Sequence, residues 1–191
     1  MQIIGLTGSI ASGKSTAAHY LKSVLMIPVF DADEEVRKLY EFDETVKDAI
    51  CELCPSAIRG GEISLIILKE MAFDSPDLLK KLEEIIHPLL KERLDEFLDD
   101  QDELCVLDIP LLFETGWNSF CSQIITLVCD ESLQLERLKK RGLTDHQIEM
   151  ILSRQMSMTE KANRSDYCLF SDGPEEEMLN DLQKIIEELN D

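Results

Sequence analysis

The sequence predicts an α/β fold in which a parallel sheet is covered by helices on both faces. Three observations carry this. Apolar runs of strand length recur along the chain, at residues 2–7, 28–30, 104–109, 123–129 and 166–170. The segments between them show helical rather than alternating periodicity, and strands joined by helical crossovers run parallel. Finally, a glycine-rich turn joins the first run to the first helix.

Taken in order, residues 2–7 form a short buried strand, and after the turn Ala17, Ala18, Leu21, Val24 and Leu25 fall on one helical stripe. A second strand at 28–30 delivers Asp31 and Asp33 at its carboxyl end, and a charged helix follows from about Glu34. From about residue 44 to 102 the pattern is helical with no clear strand, and helix starts are marked by Ser75-Pro76 and by Pro88 after His87. This stretch reads as a helical insertion. Strands return at 104–109 and 123–129, then come a basic helical segment and a last strand at 166–170. The final helix starts near Pro174, with Met178, Leu182, Ile185 and Leu189 along one stripe.

Composition excludes several classes of function. The 191 residues carry a net charge of −20, which repels polyphosphate backbones, so neither nucleic acid nor an anionic membrane is expected as a partner. The apolar runs are too short to span a bilayer, and the first lacks a basic leader, so a cytoplasmic protein is expected. One segment departs from the acidic background. Residues 132–165 hold seven basic side chains (Arg137, Lys139, Lys140, Arg141, Arg154, Lys161, Arg164) against four acidic ones. They form either a solvated helix face or a cationic element closing over bound phosphates. Of the six cysteines, Cys105, Cys129 and Cys168 sit in strand-like runs and Cys51 and Cys54 form a lone CxxC, so buried, reduced thiols are expected.

The segment Gly8-Ser9-Ile10-Ala11-Ser12-Gly13-Lys14-Ser15 matches the phosphate-loop pattern GxxxxGK[ST] without a mismatch. Such a loop curls backbone N–H groups around a β-phosphate, needs glycine at its tight positions, and leads into a helix with a positive N-terminus. Lys14 would bridge the β- and γ-phosphates, and Ser15 would ligate Mg²⁺. Asp108 ends a strand, as a carboxylate that holds Mg²⁺ through water does. Asp31 and Asp33 lie where open α/β sheets bind ligands. They either position an acceptor hydroxyl and take its proton or cap the next helix. The run Ile109 to Phe113 is either core or a docking surface for a partly apolar acceptor. His87, ahead of a proline, is as readily structural as functional.

The segments Gly5-Leu6-Thr7-Gly8 through Thr16, Asp31-Ala32-Asp33, His87-Pro88 and Leu107-Asp108-Ile109-Pro110-Leu111-Leu112-Phe113-Glu114 resemble dephospho-coenzyme A kinases in content, order and spacing. The resemblance runs nearly end to end. It implies a three-layer P-loop NTPase fold with a parallel sheet of about five strands, a helical insertion domain and a helical lid. The core would comprise residues 1–43, 104–131 and 166–191, the substrate-binding insertion 44–103 and the lid 132–165. It also implies transfer of the γ-phosphoryl of ATP, with Mg²⁺, to the ribose 3′-hydroxyl of dephospho-coenzyme A by a monomer or small homo-oligomer. By the same carry-over Asp33 is the base, with Lys14, Arg137 and Arg141 as catalytic cations. Gly8, Ala11, Ser12, Gly13, Lys14, Ser15, Thr16 and Gln155 surround ATP. Thr7, Asp31, His87, Leu111, Phe113 and Glu114 approach the acceptor, and Ser15 and Asp108 serve the metal. Three positions depart from the family's habit: Ser9 for glycine, Leu65 for arginine and Ser171 for asparagine.

Two rivals stand beside this reading. A P-loop kinase for nucleoside monophosphates or shikimate shares the loop, the lid and the aspartate. A nucleotide-dependent switch would need a guanine-reading NKxD or a DxxG segment, and the sequence has neither.

Overall fold

A computed structural model describes residues 1–190. The chain runs β1 (Gln2–Gly8), α1 (Lys14–Ser23), β2 (Val29–Asp31), α2 (Ala32–Phe42), α3 (Glu44–Leu53), β3 (Ile58–Arg59), β4 (Glu62–Ile63), α4 (Leu65–Asp74) and α5 (Pro76–Asp99). It continues through β5 (Leu104–Asp108), β6 (Gln123–Val128), α6 (Glu131–Lys140), α7 (Asp145–Ser153), α8 (Met158–Asn163), β7 (Tyr167–Phe170) and α9 (Glu175–Asn190). Five strands form one sheet in the order β2-β5-β1-β6-β7, and the β5-β1-β6-β7 pairings are parallel. This is the α/β architecture expected of the sequence.

The chain divides into two compact units, residues 1–30 with 101–191 and residues 31–100. In the first, the two-residue period of β1 sorts its side chains. Ile4 and Leu6 join Val106, Ile125, Leu127 and Leu169 on one face of the sheet, covered by Ala17 and Leu21 of α1 and by Met178, Leu182 and Ile186 of α9. Gly5 and Thr7 point the other way. A Cβ on Gly5 would lie 2.8 Å from both Leu112 and Cys121, so only glycine lets the segment after β5 cover that face. The second unit is helical, with Val46 and Ile50 of α3, Leu68 and Ala72 of α4, and Leu82, Ile86, Leu90 and Leu94 of α5 buried.

The elements differ from expectation chiefly in three places. The second strand lies at Val29–Asp31, one residue later than expected, and α2 begins at once at Ala32 because the Asp31 side chain accepts from Glu34 N at 3.0 Å. Residues 31–100 form one compact unit, in which α2 packs on α5. Inside the stretch expected to lack strands, β3 and β4 form a hairpin of two-residue strands. These are too short to show alternation, although Gly60-Gly61, both at positive φ, marks the turn. Pro88 does not start a helix but sits inside the 24-residue α5. The stripe Leu82, Ile86, Leu90 and Leu94 runs at four-residue spacing through the proline, and its burial outweighs the one lost hydrogen bond.

That balance is measurable. Proline inside a helix costs roughly 3 kcal/mol, whereas removing it frees the unfolded chain by up to about 1 kcal/mol. Pro88→Ala should therefore stabilise the protein by about 2 kcal/mol. A urea midpoint equal to or below the parent's would show that α5 carries the proline without strain.

Candidate functional site

The loop after β1 is closed on itself before anything else touches it. Ser12 N donates to Ser9 O at 3.1 Å, and a Cβ on Gly8 would fall 2.5 Å from Ser12 Oγ. Ala11 takes the left-handed conformation at φ 64, a strained state for a residue with a Cβ, and Gly13 takes it at φ 93 as N-cap of α1. The first turn of α1 has no acidic residue, and no side chain caps it among the described residues. Its N–H groups and positive dipole end therefore suit an anion. Ser12 is 1 % exposed and its Oγ has no partner among the described residues, an orphan hydroxyl inside the loop.

Lys14 and Asp108 form the charged centre. Parallel pairing sets Asp108 opposite Leu6, two residues before Gly8, and Lys14 Nζ lies 2.6 Å from Asp108 Oδ1. The two side chains are 13 % and 3 % exposed, so this pair sits in a medium of low effective dielectric. Ser15 is exposed on the first turn of α1 and Thr16 half-buried. No three His, Cys, Asp or Glu side chains converge on a metal-sized site among the described residues. One hydroxyl and one carboxylate suit Mg²⁺, a hard ion that keeps waters and takes its remaining oxygens from phosphates.

Residues 134–155 brace the loop from outside. Gln134 Nε2 donates to Ile10 O at 2.7 Å. Arg137 Nη1 donates to Ala11 O at 3.0 Å and to Ser171 Oγ at 3.0 Å, and its Nη2 to Ser171 O at 2.6 Å. Gln155 Oε1 accepts from Ser9 Oγ at 3.2 Å and from Ile10 N at 3.1 Å. Leu138 and Ile148 pack with Ala11 in a small apolar cluster. Thus Ser9 and Ser171, two of the departures from the family's habit, each carry a hydrogen bond to the brace. Arg141 is exposed. Elsewhere in the basic segment Lys139 pairs with Asp145 at 3.0 Å and Lys140 with Glu136 at 2.6 Å, so part of its charge is neutralised locally.

The segment after β5 is split. Ile109 and Leu112 are buried core, whereas Leu111 and Phe113 are half-buried. Thr7 Oγ1 donates to Pro110 O at 3.1 Å, and Glu114 Oε1 accepts from Met156 N at 2.6 Å. Sequence reasoning missed two residues here. Gln134 is 2 % exposed and Lys161 is wholly buried, with Lys161 Nζ 3.1 Å from Glu114 Oε1 and donating to Pro110 O. Burial pushes the Lys161 ammonium below its usual range; the Glu114 charge and hydrogen bond oppose this and the charge of Lys14 adds to it. In the sequence Lys161 is one of the seven basic residues of 132–165, and no periodicity in a six-residue helix sets it apart.

The remaining candidates lie in the unit of residues 31–100. Asp31 is the cap of α2, and Asp33 is an exposed carboxylate in the first turn of that helix. His87 is exposed on α5. The six cysteines are free; Cys54, Cys105 and Cys129 are buried, but Cys51 is exposed, because its helical position faces solvent, contrary to expectation. The buried Cys54 thiol donates to Met71 Sδ at 3.3 Å.

The family model of dephospho-CoA kinase matches residues 2–177. A dephospho-CoA kinase of Rhizobium meliloti is 37% identical over 194 residues, 99% of this chain and 98% of that one. Among solved structures, the Thermus thermophilus protein TT1252 superposes with a TM-score of 0.85 at 32% identity, covering 100% of this chain and 98% of the other. A shikimate kinase from Bacteroides thetaiotaomicron reaches a TM-score of 0.56 at 15% identity over 97% and 98% of the two chains, a likeness of fold alone.

The charged centre makes a stability prediction that is separate from activity. Lys14→Met leaves the Asp108 carboxylate buried without its ammonium and should cost about 3 kcal/mol, the low end for broken buried pairs because Lys14 keeps some solvent contact. Adding Asp108→Asn removes the stranded charge and should recover most of that loss. A double variant no more stable than Lys14→Met in urea denaturation would mean that the pair does not carry the cost.

Proposed function

The chain belongs to the dephospho-coenzyme A kinase family, and from that premise we propose that it transfers the γ-phosphoryl of ATP to the ribose 3′-hydroxyl of dephospho-coenzyme A, giving coenzyme A and ADP in the cytoplasm. The observation that carries the reading is the strained loop leading into an uncapped helix, with Lys14 set against Asp108 at 2.6 Å. Gly8 and residues Ala11 to Thr16 enclose the phosphates, and the orphan Ser12 hydroxyl is suited to donate to a phosphate oxygen. Lys14 neutralises charge that develops between the β- and γ-phosphates. Ser15 and Asp108 would hold Mg²⁺, which supplies charge neutralisation at the phosphate oxygens. Arg137 and Gln155 keep the loop in shape from outside, and the exposed Arg141 is the cation free to move onto the nucleotide as residues 132–165 close over it.

Phosphoryl transfer to an alcohol needs a carboxylate that orients the hydroxyl and accepts its proton as the new bond forms. Asp33 is the base in this reading. The fold supports it over Asp31, because Asp31 spends a carboxylate oxygen on the N–H of Glu34 while Asp33 keeps its carboxylate exposed. Thr7, Asp31, His87, Leu111, Phe113 and Glu114 complete the acceptor side.

Added dephospho-coenzyme A should raise Mg²⁺-dependent ADP release from ATP, and a coupled assay in which shikimate or a nucleoside monophosphate does so instead would reject the acceptor. Asp33→Asn should lower kcat by ~10²–10⁴-fold, about 3–5 kcal/mol in barrier, with little change in KM for ATP. Because Asp31 rather than Asp33 caps α2, the substitution tests proton transfer with the helix cap left in place. A kcat within about threefold of the parent would leave the reaction without this base.

A further inference from the structure

Lys161 stands out as a cation enclosed by the fold. It is wholly buried, and the ion-pair partner Glu114 is itself only 18 % exposed in its side chain. Burying its ammonium costs several kcal/mol before the attraction of Glu114 is counted, and an apolar group of the same shape often does as well or better. The like charge of Lys14 acts on it as well. A residue this costly to keep is better explained by what it holds in place.

Its main chain is anchored first. Ser157 and Glu160 form a capping box at the start of α8, and Lys161 N donates to Ser157 O at 3.0 Å. Ser165 Oγ donates to Lys161 O at 2.8 Å and meets Thr126 Oγ1 of β6 at 2.5 Å. From that fixed base the ammonium reaches the segment after β5 at two points, the carbonyl of Pro110 and the carboxylate of Glu114. Both points are shared. Pro110 O also accepts from Thr7 of β1, and Glu114 Oε1 also accepts from Met156 N, next to the Gln155 that holds the phosphate loop.

We propose that Lys161 is a positioning residue that fixes residues 110–114 relative to the phosphate loop, so that the acceptor-facing segment and the donor loop are set from one buried point. This rests on the phosphotransfer reading above. Lys161 touches neither substrate; it acts through Pro110 and Glu114. Misplacing a substrate-positioning group by about 1 Å can cost as much as 10²-fold in rate, so a loss of roughly 10–100-fold is the scale expected.

The test uses steady-state kinetics and thermal melting of the full chain with ATP and dephospho-coenzyme A. The variants are Lys161→Met, Glu114→Gln and the pair together. Parent protein that gives no acceptor-stimulated ADP release would reject the phosphotransfer reading itself. Given an active parent, Lys161→Met should fold, lose roughly 10–100-fold in kcat over KM for the acceptor, and keep KM for ATP within about threefold. The double variant should lose less than the product of the two single losses, because both changes release the same segment. Should Lys161→Met fail to fold for want of a partner for Glu114, the double variant buries a neutral pair and carries the same kinetic expectation. Folded variants with parental acceptor kinetics, losses that add in the double variant, or failure of both Lys161 variants to fold would each overturn the proposal, the last by assigning Lys161 to folding.

Discussion

A loop wound this tightly satisfies Ser9 O from within but turns other carbonyl groups outward, and buried peptide oxygens do not go unpaired without cost. In this chain Ile10 O and Ala11 O are the oxygens at issue, and α6 answers them with Gln134 and Arg137. Much of the surrounding architecture follows from that requirement. Arg137 bridges Ala11 O to Ser171, just after β7, through both of its terminal nitrogens. Gly13 leaves room for Ser171, since a Cβ at residue 13 would lie a tight 3.1 Å from the Ser171 Cβ. The basic segment is therefore a structural partner of the loop as well as a reservoir of charge.

Two ammonium–carboxylate pairs flank the same backbone, Lys14 with Asp108 and Lys161 with Glu114. They differ in what surrounds them. Lys14 keeps some solvent contact and stands on the first turn of a helix that lacks negative charge, a setting prepared for a polyanion. Lys161 is sealed, and its contacts are a main-chain carbonyl and a carboxylate on a single segment. The first pair is open to solvent on one side, and the second is closed around its ammonium.

Legibility in the sequence followed the range of the interaction. The phosphate loop was readable because its chemistry is local: glycines where the chain turns, lysine and serine at the helix start. The sheet was readable because parallel strands buried on both faces leave continuous apolar runs. Pro88 misled because a local rule was outweighed by a stripe of four leucine and isoleucine residues extending on both sides of it. Asp31 and Asp33 could not be told apart by type, since either can cap; only the hydrogen bond to Glu34 N separates them. Gln134 and Lys161 were invisible because their partners lie 124 and 51 residues away, at Ile10 and Pro110.

The thiols have a practical consequence. Burial raises Cys105, Cys129 and Cys168 above the usual thiol range and pushes Cys121 up to about 12, so little thiolate forms at neutral pH. Cys54 is buried against Met71, which leaves Cys51 as the exposed cysteine among the described residues. A maleimide dye on the unmutated protein would thus attach at one position, on α3 in the helical unit. The chain comes with its own site for a fluorescent reporter, far in sequence from the loop whose occupancy such a reporter would be asked to sense.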